Sequence, residues 1–121
     1  MTETLLLAVP TKDERAMKGT VSNIFAKAPT FTFIDVVNGE VCDVRVEENA
    51  AADFRQGTGP IVIKNLKDKG VDIVIVGELG PGAKTLIEIS GIKMVRVEPG
   101  VKVKEAVEKA LKELRTTEAY A

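Results

Sequence analysis

"FTFIDVVNGEVCDVRVE" (residues 31–47) is the stretch that decides the fold. Residues 31–37 are β-branched, aromatic and apolar, and read as a strand. Asn38-Gly39 follows, a pair suited to the positive-φ positions of a tight hairpin turn. Residues 40–47 then alternate. Cys42, Val44 and Val46 fall on one face and Asp43, Arg45 and Glu47 on the other. The stretch is therefore an antiparallel hairpin whose second strand is half exposed at a sheet edge. Cys42 is expected to act as a small buried apolar residue. Asp35 is expected to be a solvated or hydrogen-bonded carboxylate.

Outward from the hairpin the pattern changes. Upstream, Leu5-Leu6-Leu7-Ala8-Val9 is a continuous apolar run stopped by Pro10, and downstream "DIVIVG" (residues 72–77) is another. Such runs suit strands buried on both faces. Residues 60–69 read as a helix closed by Gly70. Residues 80–90 read as a second, with Pro81 near its start and Gly91 just past its end. Residues 93–97 form a short strand. Residues 101–115 carry a helical stripe of Val103, Ala106, Val107, Ala110, Leu111 and Leu114, and residues 116–121 are expected to fray. Right-handed crossovers that bury both apolar runs side by side put the strands in the order 3-2-1-4-5. Strand 2 alone is antiparallel, and the helices pack on the sheet faces. The chain reads as one α/β domain over residues 1–121.

Composition narrows the function classes. The net charge of −1 gives no broad pull toward nucleic acid or anionic lipid. Aromatic residues make up 4% with no Trp, too few for a base-stacking surface. The chain has no His and a single Cys, so it lacks the commonest general base and any internal disulfide. The apolar run near the start is too short to export the chain or anchor it in a membrane, and a cytoplasmic location is expected. No Walker-type loop, GxGxxG after the first strand, CxxC or HExxH is present. Met17 is a conceivable soft ligand, better read as incidental. A nuclease-type metal site would want a carboxylate on the central strand, and that strand is Leu-Leu-Leu-Ala-Val. The expectation is a protein without catalytic activity.

In this topology the long loops and most glycines meet at one edge, beyond the carboxyl ends of the strands, where open α/β sheets bind ligands. Gly57-Thr58-Gly59 stands at the start of one helix and Gly80-Pro81-Gly82 at the start of the next. Helix starts carry unpaired N–H groups and attract anions. Glycine and proline also simply punctuate such connections, and both readings stay open.

The segments "LLAVPT" (residues 6–11), "VSNIFAKAPTFTFIDVVNGEV" (21–41), "VEENAAADFRQGTGP" (46–60), "KGVDIVIVGELGPGAKTLIEISGIK" (69–93) and "VKVKEAVEKAL" (101–111) resemble, in order and spacing, the dinitrogenase iron-molybdenum cofactor biosynthesis family. That family covers NifX-type proteins and the carboxy-terminal domain of NifB-type proteins. The resemblance implies a three-layer α/β/α, ribonuclease-H-like fold. It also implies a non-catalytic carrier of an anionic iron-sulfur or molybdenum-containing cluster, with metal-cofactor biosynthesis proteins as partners; a related oxyanion is the other ligand expected. No nucleic-acid or membrane partner is expected, and the state is expected to be monomer or weak homodimer. The family pattern Ser-x-His-Phe-Gly-x-Ala corresponds to Ser22, Asn23, Ile24, Phe25, Ala26, Lys27 and Ala28. The histidine place is thus Ile24 and the glycine place Ala26. Members often carry histidines between the residue matching Asn49 and a Gly-x-Gly; here residues 50–56 contain none. The cradle matches and the imidazole ligands do not. The candidate anion or cluster site is therefore Ser22, Asn23, Phe25, Asn49, Arg55, Gly57, Thr58, Gly59, Gly80 and Gly82, with Lys27 as a further cation and no directly ligated metal. The alternative is a protein-interaction module that uses the exposed hairpin edge and takes no small ligand.

Overall fold

The computed structural model describes residues 3–53 and 57–120. It comprises β1 (Thr4–Thr11), a short 3₁₀ turn (Ala16–Lys18), β2 (Thr30–Val37), β3 (Glu40–Glu48), α1 (Thr58–Asp68), β4 (Ile73–Val76), α2 (Pro81–Ser90), β5 (Lys93–Arg96) and α3 (Val103–Tyr120). The sheet order is β3-β2-β1-β4-β5. β2 runs antiparallel to β1 and β3, while β1, β4 and β5 pair parallel, as the sequence pattern predicts.

The two central strands are apolar on both sides because helices cover both faces. Ala8, Val74 and Val76 turn toward α1 and α2, where Phe31, Phe33, Val62, Leu66 and Ile87 complete one core. Leu7, Val9, Ile73 and Ile75 turn the other way, against Val103, Ala106, Val107 and Ala110 of α3. The small residues on that stripe let a single helix lie close on the twisted sheet. The result is three layers, with α1 and α2 on one face and α3 on the other.

Asp72 sets the register of the central seam. Its backbone N–H donates to Leu6 O at 2.9 Å, and its carboxylate accepts from Leu6 N–H at 2.8 Å. Leu7 then stands opposite Ile73 and Ala8 opposite Val74.

Several local expectations change. Pro10 does not end β1: it stays in the strand opposite Phe31, and its ring leaves the antiparallel ladder intact as far as Thr11. The N–H that Pro10 lacks is therefore no bar to pairing at this position. α3 starts at Val103 rather than residue 101, and its backbone continues to Tyr120. Met17 packs, half-buried, against the α3-side core, so it is a packing residue.

The largest change is at Cys42, which is exposed rather than buried. Val36 pairs with Val41 and Asp35 with Asp43, so Cys42 is the unpaired extra residue of a β-bulge. The simple alternation along β3 breaks there. The bulge also sets two carboxylates opposite each other, an arrangement that repels. Arg45 relieves it by donating from Nη1 to both Asp35 and Asp43, the latter at 2.9 Å. These hydrogen bonds, to Asp35 first and then Asp43, raise the guanidinium pKa above its ordinary value. Asp35 is thus the hydrogen-bonded carboxylate expected for it.

Ile75 is fully buried and Ile89 is 78% exposed. Ile75→Ala should cost about 2–5 kcal/mol in urea unfolding, whereas Ile89→Ala should stay within about 0.5 kcal/mol. Asp72→Ala should fall between them, at about 1–2 kcal/mol, because Leu6 N–H loses a charged acceptor.

Candidate functional site

β1, β3, β4 and β5 point the same way, so the segments that follow them leave from one edge. The loop after β1 doubles back across the middle of that edge. Ser22 N–H donates to Pro10 O at 2.8 Å, Val21 N–H to Val101 O at 2.8 Å and Gly100 N–H to Val21 O at 3.0 Å. The loop after β1 is thereby laced to the segment entering α3. Gly77, at the end of β4, lies under this crossing. A Cβ there would stand 3.0 Å from Ser22 O and 3.2 Å from Pro99 Cα, so any side chain would have to move backbone.

α1 and α2 both start at this edge and pack on the same face of the sheet. The N-cap of α1 is Gly57, at φ 74, a conformation that favours glycine. The N-cap of α2 is Gly80, in extended backbone with φ −72 and ψ 161. Among the described residues, neither start has a side-chain cap, and neither first turn holds an acidic residue. Each such start presents N–H groups without intrahelical acceptors and about half a positive charge. Pro60 and Pro81 each remove one donor. By helix geometry Gly59 in α1 and Gly82 and Ala83 in α2 retain theirs. Ala83 was not singled out by the sequence pattern, and counting from the observed N-cap brings it in. Among the described residues, a Cβ at Gly57, Gly80 or Gly82 would meet nothing within 4 Å. The backbone is accessible at those three places. Gly59 differs: a Cβ there would lie 3.3 Å from Leu86 Cδ1, so it also serves close packing of α1 on α2.

The remaining candidates divide. Asn23 and Lys27 are exposed on the loop after β1, beside Ile24, which is 47% exposed. Thr58 is buried in the first turn of α1. Phe25 is buried, its ring edge-on to Phe31 with centroids 5.7 Å apart, which makes it a core residue. Ser22 has its N–H taken by Pro10, and its Oγ accepts from Ile24 N–H at 3.1 Å, so it shapes the turn that presents Asn23. Asn49 is fully engaged. Its Nδ2 donates to Ala26 O at 2.8 Å and Ala28 O at 2.9 Å, and its Oδ1 accepts from Ala51 N–H at 3.1 Å. It staples the loop after β3 to the loop after β1. Arg55 lies outside the described residues. Among the described residues, no three His, Cys, Asp or Glu side chains gather closely enough to hold a metal ion. Among them, too, no helix is long and apolar enough to cross a membrane.

Fold and edge together define an α/β protein in which two glycine-capped helix starts leave backbone exposed along one rim. Residues 4–113 match the family described as "Dinitrogenase iron-molybdenum cofactor", and the chain belongs to that family. The NMR structure of a provisionally assigned NifB protein from Thermotoga is 32% identical, with a TM-score of 0.70 over 89% of this chain and 88% of that one. The apo orange protein from Desulfovibrio gigas is similar in fold, with 23% identity and a TM-score of 0.79 over 93% and 92% of the two chains. An uncharacterized protein of Methanocaldococcus jannaschii is 26% identical over 90 residues, covering 74% of this chain and 72% of its own. These relationships agree with the resemblance carried by the motifs.

Asn49→Ala should lower stability by about 1–3 kcal/mol, because two carbonyls and an amide lose their partner. Amide exchange at Ala51 should accelerate in the same variant, which locates the loss in this loop pair.

Proposed function

We propose that this protein is a non-catalytic carrier that binds an anionic iron-sulfur or molybdenum-containing cluster, or a related thiometallate, and passes it between metal-cofactor biosynthesis proteins. The observation that carries the reading is the pair of helix starts at one edge and on one face, uncapped by side chains among the described residues and free of acidic residues in the first turn. An anion supplies what those N–H groups lack. Family membership supports the kind of cargo.

The donor set limits the chemistry. Backbone N–H groups hydrogen-bond to the sulfide or oxide surface of an anion and do not ligate metal. The chain has no His, and its one thiol, Cys42, sits near the hairpin turn at the opposite edge of the sheet. The residues present therefore fit a cluster whose metals are already coordinated by inorganic ligands. Asn23 and Lys27 stand on the loop after β1, where they can add a polar and a cationic contact at the rim. The edge-pairing alternative draws less support, since the bulge at Cys42 and the charges of Asp43, Arg45 and Glu47 are devices that blunt strand pairing.

Anaerobic mixing with tetrathiomolybdate, followed by gel filtration and metal and sulfide analysis, should give co-elution at a fixed ratio. Gly80→Asp sharpens the test. Gly80 already has N-cap geometry and open space, so the new carboxylate should cap α2 and gain a few tenths of a kcal/mol. The same carboxylate would occupy the donors and weaken thiomolybdate binding about tenfold. Absence of co-eluting metal, or unchanged binding in the variant, would sink the proposal.

A further inference from the structure

A cleft of about 310 Å³ opens between the β2–β3 hairpin and α1, on the side of α1 that faces away from α2. That volume is at the lower end of those that hold small molecules. Its floor is apolar and aromatic, made by Phe31, Phe33, Val62 and Leu66. Among the described residues its rim carries three carboxylates, Glu47, Glu48 and Asp68, against one ammonium, Lys69. Asp68 is held by Lys64 at 2.9 Å, outside the cleft, and among the described residues Lys69 closes on Glu47.

Lys69 shows what this rim accepts. Its Nζ stands 5.2 Å from the centre of the Phe33 ring. The same Nζ donates to both oxygens of Glu47, at 2.9 and 3.1 Å. An aromatic face and a carboxylate closing on one ammonium is the arrangement by which proteins recognise organic cations. Lys69 reaches it from the C-cap of α1 on a flexible stem, and its side chain remains 41% exposed. The lysine thus sits, partly exposed, between an aromatic face and a carboxylate at the edge of an apolar floor.

We propose that this cleft binds a small organic ammonium with an apolar arm, the ammonium replacing Lys69 between Phe33 and Glu47 and the arm lying over Val62 and Leu66. The occupant is set by charge: a carboxylate ligand would gain Lys69 and face both glutamates. The site is separate from the glycine-lined rim, and it takes the opposite charge. Its success or failure therefore leaves the carrier reading where it stands.

The full-length protein would be titrated with phenethylammonium and, in parallel, with 3-phenylpropanoate, following amide shifts by NMR. The ammonium should shift the amides of Phe33, Glu47 and Lys69, and the carboxylate should not. Lys69→Ala removes the internal competitor and should tighten ammonium binding about two- to fivefold. Glu47→Gln should weaken it by at least that factor. Both changes are at exposed side chains, so both variants should keep the parent fold. Preference for the carboxylate, no binding to either the parent or Lys69→Ala, or affinity indifferent to both substitutions would each overturn the proposal.

Discussion

The parallel seam between β1 and β4 is the contact on which the rest of the molecule depends. Both strands are buried on both faces, and they meet where the chain reverses from a hairpin arrangement to a crossover arrangement. A slip of one residue would exchange the residues facing α3 with those facing α1 and α2. Asp72 opposes that slip by binding Leu6 through both backbone and side chain. The bulk on the two sides differs in kind. Phe25, Phe31 and Phe33 fill the space beneath α1 and α2, while on the other face Leu7, Ile34, Ile73 and Ile75 of the sheet meet the valines and alanines of α3.

The same seam creates the edge where the long loops meet. Because four strands share a direction, the chain must leave them on one side, and two helices must then start there on one face. The loop after β1 crosses the middle and is held by backbone hydrogen bonds to the segment before α3. Gly77 is required beneath that crossing by contact, not by φ. At the helix starts the reason for glycine is different. Gly57 needs a positive φ, whereas Gly80 and Gly82 stand in open space and leave backbone exposed. A glycine count alone does not separate these three causes.

The proposed cargo follows from what the edge can offer. Amide N–H groups are fixed dipoles that cost little reorganisation when an anion arrives, and release is easy because no metal–ligand bond has to break. That is the behaviour a carrier needs, as against a tight storage site. Imidazole ligands are missing from a chain that otherwise keeps the family's order of segments. The binding mode inferred here therefore leans on hydrogen bonding and charge.

Much of the architecture was legible in the residues. The Leu5–Val9 and Asp72–Val76 runs demanded double burial, Asn38-Gly39 demanded a tight turn, and the stripe on α3 demanded a sheet beneath it. These are local periodicities and backbone preferences, which a sequence displays directly. Side-chain roles at the edge were less legible. Ser22, Phe25 and Asn49 carry the family pattern, yet one has its N–H and hydroxyl committed to shaping a turn, one is buried against Phe31, and one is used as a staple. Cys42 looked buried by alternation and is exposed, because a bulge inserts one residue into the ladder. The sequence by itself determined the elements, their order and the edge where the loops meet, since those follow from short-range pattern and chirality. Only the tertiary structure decided which N–H groups are already spent, where β3 slips its register and which carboxylate closes on Lys69, since each depends on partners far apart in the chain.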